Sequence, residues 1–176
     1  MNKLLASFLL FLACSAQAGD LASEKPIPEQ EKKRITQVLK DVLSDKTITQ
    51  REYEQALVWL NSTPCNGVDR SLSESRKKEL ASAILKQEKL ERVNVLQSFN
   101  SNGWNIVYVN TYISDEPYLF YSGDPIMAKR PITSWSGAAT VFETSEIKDW
   151  VLKKAPGIPD RLASCFAWHV TLNRVK

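Results

Sequence analysis

The chain has 176 residues, of which 43% are hydrophobic and 24% charged, with 6 glycines and 8 prolines. These ordinary values exclude a disordered, collagen-like or low-complexity chain. The formal net charge of +3 is too small to point to a nucleic-acid partner.

Residues 1–18 carry the three parts of a secretory signal peptide. Lys3 gives the positive start, Leu4 to Ala13 reads LLASFLLFLA, and Ala16-Gln17-Ala18 puts small residues before a cut at Gly19. That apolar run is shorter than the about 20 residues that span a bilayer. No later stretch is long enough either, so no transmembrane segment is expected. Cleavage removes Lys3 and leaves about 158 residues, a length at which one domain buries roughly 68–70% of its unfolded surface. The rival processing is acylation of Cys14, with polar Ser15 to Pro28 as a tether. Of the residues before Cys14, only Ala13 suits that pattern. The favoured expectation is therefore cleavage near Ala18–Gly19 and a periplasmic or secreted location.

Cleavage would also remove Cys14 and leave Cys65 and Cys165. An even pair in an oxidising compartment is most simply a disulfide. The rival reading pairs a reactive Cys165 with His169 as base, but an unpaired thiol suits that compartment poorly.

Residues 19–27 read as a linker, with Pro26 and Pro28 before the first helix. From Glu29 to Ser44, Ile35, Val38, Leu39, Val42 and Leu43 form a helical stripe. Thr49-Gln50-Arg51-Glu52 has the form of a capping box, and Tyr53, Ala56, Leu57 and Leu60 continue that second helix. A third helix starts near Ser71 or Ser73, carries Leu80, Ala83 and Ile84, and is expected to end near Arg92. Val93, Val95 and Phe99 then change the period toward a strand. Asn102-Gly103 is a hairpin signal, followed by a strand rich in β-formers from Trp104 to Val109. Tyr118 to Tyr121 forms another strand, residues 122–137 a long loop and Ala138 to Phe142 a short strand. Thr144 or Ser145 opens a helix through Ile147, Trp150, Val151 and Lys154. Leu162 to Leu172, with Phe166, Trp168, Val170 and Leu172 alternating, reads as a closing strand; a helix over Asp160 to Trp168 is the alternative.

Helices followed by strands indicate an α+β domain. The expectation is three N-terminal helices on an antiparallel sheet of about four strands with one inserted helix. It forms a single domain over residues 28–176.

Motifs for chemistry are weak. Asp41 to Glu52 has EF-hand length, but Leu43 and Lys46 stand where a ligand and a glycine belong. His169 is the only histidine, too few for a zinc site with the cysteines paired. Ser134-Trp135-Ser136-Gly137 lacks the leading glycine of a hydrolase elbow, and Ser145 to Lys148 has SxxK spacing at a helix start. Asp115, Glu116 and Asp124 are turn carboxylates, which occur for conformational reasons alone. No cofactor or metal is expected.

The aromatic segment from Trp104 to Trp135 is the most informative surface candidate. Its two strands place aromatics on both faces, with Trp104, Ile106 and Tyr108 opposite Val107 and Val109, and Tyr118 and Phe120 opposite Leu119 and Tyr121. Such a sheet is either covered twice or presents a binding face. The binding candidates are Tyr108, Tyr112, Tyr118, Tyr121 and Trp135, with Lys129 and Arg130 adding charge from the adjoining loop. The resulting expectation is a small exported, non-enzymatic binding protein of the bacterial envelope, inhibitor-like or immunity-like, with a protein partner. The alternatives are an envelope-polymer hydrolase using carboxylates and a lipid-anchored accessory protein.

Overall fold

The computed structural model describes residues 27–113 and 115–172. The leader, Cys14 and residues 19–26 lie outside these. Ile27, assigned to the linker, is buried in the core.

The fold is α+β, with three helices ahead of a four-stranded antiparallel sheet. Helix α1 spans Glu29–Ser44, α2 Gln50–Leu60 and α3 Glu74–Glu88. The Thr49 hydroxyl accepts from the Glu52 N–H at 3.3 Å, and the Thr49 N–H donates to Glu52 Oε2 at 2.7 Å. That reciprocal box fixes the start of α2. Helix α3 stops before Arg92 because Lys89 turns left-handed at φ 54°, and the Leu90 N–H closes back on the Leu85 carbonyl at 3.1 Å.

Strands β1 (Asn94–Ser101), β2 (Trp104–Asn110), β3 (Tyr118–Ser122) and β4 (Thr133–Trp135) form a meander in chain order. Asn102 and Gly103 join β1 to β2 with φ of 48° and 78°, the paired positive values of a tight hairpin turn. A bulge between Val95 and Gln97 shifts the β1–β2 register. Without it, Val95 and Phe99 would share a face; with it, Val95 packs toward α3 and Phe99 into the opposite layer.

Two departures from the sequence expectation concern the last third of the chain. The fourth strand is not Ala138 to Phe142: it lies inside the expected loop, where Thr133, Ser134 and Trp135 pair with Phe120, Leu119 and Tyr118. Val141–Glu143 is instead a 3₁₀ turn, boxed by Thr140 and Glu143, that leads into α4 (Thr144–Lys154). The closing strand at 162–172 is also absent: Asp160–Leu172 is a helix, α5. Nine successive residues of α5, Leu162 to Val170, are buried. A helix covered all round shows no polar face, so its apolar residues fall at every spacing, including every second position.

The sheet is covered on both faces. On one, Ile106, Tyr108, Tyr118 and Phe120 join Leu60, Ile147, Val151, Phe166 and Trp168 in a common core. On the other, Val107, Val109, Leu119 and Tyr121 meet Leu80 and Ile84 of α3. Polar links tie the helices of the first layer together: the Trp168 indole N–H donates to the Trp59 carbonyl at 3.1 Å, and the Trp59 indole N–H to Ser145 Oγ at 3.0 Å. The Cys65 and Cys165 sulfurs stand at disulfide distance, 2.04 Å, joining the segment after α2 to the middle of α5.

Candidate functional site

The aromatic candidates do not form one face. Tyr108 and Tyr118 stack at 4.2 Å between ring centroids inside the core beside Phe166, and half-buried Trp135 edges Phe166 at 5.6 Å. Tyr121 is buried on the α3 side. Only Tyr112 is an exposed aromatic among them; it sits in the β2–β3 loop at φ 61° with the Arg92 guanidinium 4.3 Å over its ring. Lys129 and Arg130 are exposed in the β3–β4 loop, at the opposite end of β3.

The catalytic candidates are held in structural roles. Cys165 is bonded to Cys65, so it has no thiol to pair with His169. His169 is fully buried, with its ring 4.8 Å from that of Phe99. Ser145 accepts from Trp59, and Lys148 pairs with Asp160 at 2.8 Å. Asp115 and Glu116 precede β3 while Asp124 follows it, so these carboxylates leave opposite ends of the strand. Glu116 Oε2 accepts the Tyr108 hydroxyl at 2.5 Å. Among the described residues, no three His, Cys, Asp or Glu side chains gather where they could hold a metal ion.

The feature that does concentrate exposed side chains is a groove of about 640 Å³ between α3 and the β3–β4 loop. That is within the range of small-ligand and peptide sites. Lys78, Ser82 and Lys86 recur at every fourth position of α3 and form one wall with Glu79 and Ala83; Ile126, Ala128 and Lys129 form the other. The spacing puts them on the helix face turned away from Leu80 and Ile84, which pack on the sheet.

Gln87 builds the groove. Its amide nitrogen donates to the carbonyls of Pro125 and Ala128 at 2.7 and 2.8 Å, and its Oε1 accepts the Tyr121 hydroxyl at 2.9 Å. Both amide hydrogens are thus engaged. Burial, aided by the nearby Glu88 charge, pushes the Tyr121 phenol well above its ordinary range, so it remains a donor. One residue before Pro125, Arg76 Nη2 donates to Asp124 Oδ1 at 2.7 Å, and the same oxygen accepts the Ile126 N–H at 2.9 Å. The first half of the loop is therefore pinned at Asp124, Pro125 and Ala128.

The Arg76 hydrogen bond holds the Asp124 carboxyl below its ordinary value of 3.8, with the Ile126 N–H assisting and partial burial opposing. A carboxyl lowered by folding stabilises the fold above its unfolded value and loses that contribution as pH falls through the folded value. In an NMR titration the Ile126 amide shift should therefore follow Asp124 with a midpoint below 3.8, and Arg76→Gln should move that midpoint up. A wild-type midpoint at or above 3.8 would remove the latch.

Of the binding candidates expected from the sequence, Lys129 lines this groove and Arg130 does not; Gln87, Arg76 and the α3 lysines are not among them. The Lys78–Ser82–Lys86 stripe was visible, yet such stripes are ordinary on solvated helices. The approach of the loop distinguishes this one. Compared with known proteins, the chain matches no family model, no curated protein and no solved structure.

Proposed function

We propose that the chain is an exported, non-enzymatic binding protein of a bacterial envelope, inhibitor-like or immunity-like, that engages a protein partner through the α3–loop groove. The observation that carries this reading is the Gln87 pin, because it ties an exposed loop to α3 through two hydrogen bonds. Preorganisation of that kind removes the ordering cost from binding. Met127, at the tip of the loop, is 84% exposed and stands beside Ile126 and Ile132, also exposed. Apolar side chains carried on a polar, pinned loop suit a partner contact.

Export supports the same reading. The buried disulfide is compatible with a periplasmic or extracellular location. No helix among the described residues is long and apolar enough to cross a membrane. Cleavage before Gly19 would then release the chain into the periplasm.

The test is photo-crosslinking in cells. A photoreactive residue at Met127 should yield one discrete adduct, and the same residue at exposed Val58 on α2 should not. Equal labelling at both positions, or none at position 127, would overturn the assignment. The intact mass of the recovered chain should start at Gly19; acyl chains on Cys14 would replace the released form with an anchored one.

A further inference from the structure

We propose that the groove takes an extended acidic segment of its partner, carrying two carboxylates about four residues apart on either side of a small apolar residue. This rests on the binding reading above and adds the chemistry of the occupant.

The charge of the lining is one-sided. Lys78, Lys86 and Lys129 contribute three ammonium groups against the single carboxylate of Glu79. That carboxylate already faces Arg76 Nη1 at 3.6 Å, while Arg76 Nη2 holds Asp124. None of the three lysines forms an ion pair with another described residue. Gln87 does not compete for a ligand, since all its bonds run to the loop and to Tyr121.

Spacing selects the form of the anion. Lys78 and Lys86 lie eight residues apart on α3, about 12 Å at 1.5 Å per residue. Two anionic groups at that spacing pair with both lysines at once. An extended chain rises about 3.3 Å per residue, so two carboxylates four residues apart match the lysines. Ala83 on the helix wall and Ile126 and Ala128 on the loop wall add apolar surface to this lining. That surface favours a peptide over a bare polyanion, because a small side chain between the charges buries apolar area against it.

The full mature chain would be titrated by NMR with two isomeric blocked peptides containing Glu-Ser-Ala-Ser-Glu or Ser-Glu-Ala-Glu-Ser, and with inorganic polyphosphate. The expected result is that the first peptide shifts the Ala83 and Ala128 amides and binds about tenfold tighter than its isomer. Lys86→Glu should erase that preference, and Lys40→Glu on α1 should leave it unchanged. Equal affinity for both isomers, tighter binding of polyphosphate than of either peptide, or indifference to Lys86→Glu overturns the proposal. Crosslinking at Met127 separates the two levels: an adduct there with no peptide preference removes only the acidic segment, while no adduct removes the binding face itself.

Discussion

Replacing Cys65 and Cys165 together by alanine should lower stability by about 4.7 kcal/mol, the chain-entropy value for a closed loop of about 100 residues. The sequence separation of the bridge is 100, so the unfolded chain regains nearly its whole freedom when the bond is lost. At roughly 2–4 °C per kcal/mol for a chain of this size, the melting temperature should fall by roughly 10–20 °C. Reduction of the native protein should give the same shift. Both sulfurs are buried, so reductant should act only slowly below the transition. Calorimetry with and without reductant measures the effect, and a thiol titration of the denatured, unreduced protein checks its premise. Two free thiols, or an unchanged melting temperature, would sink the bridge as a stabilising element.

Phe166→Ala should cost about 3–5 kcal/mol, as deletion of a large buried ring does elsewhere. Against a total stability of about 5–15 kcal/mol, the variant would be near the edge of folding. Phe166 is fully buried, and its ring meets those of Tyr118, Phe120 and Trp135 edge-on at 5.1, 5.0 and 5.6 Å. Those edge contacts add to the area that the ring removes from water. Phe166→Leu keeps most of the apolar volume and should cost less. Met127→Ala, at an exposed loop tip, should change stability by no more than about 0.5 kcal/mol. Urea unfolding measures all three, and equal costs for Phe166→Ala and Met127→Ala would remove Phe166 from the centre of the core.

The front half of the chain was legible because its signals are local. The α1 helix, the Thr49–Glu52 box and the Asn102-Gly103 turn each act over a few residues and appear where the sequence puts them, although Val38 of the α1 stripe is exposed. The two-face split of β2 and β3 was legible for the same reason. The last third failed where the environment overrides the pattern. In α5, burial on all sides removes the polar positions that would have marked a helical period. In β4, three residues pair with β3 without any run long enough to show alternation. One signal was available and passed over: Thr140-Val141-Phe142-Glu143 repeats the form that located α2, and it ends the extended stretch where a strand was expected. The groove was not legible at all, since Gln87 gains its meaning only from carbonyls 38 and 41 residues away.

The bridge between Cys65 and Cys165 also closes a covalent ring that contains α3, the whole sheet and α4. The exposed loop around Met127 lies on that ring. A protease that cut there would open the ring without dividing the molecule: the two pieces would stay joined through sulfur and gain only one water in mass. The nicked form would run as an intact chain until it was reduced, and partner contact and processing could coexist at the same loop.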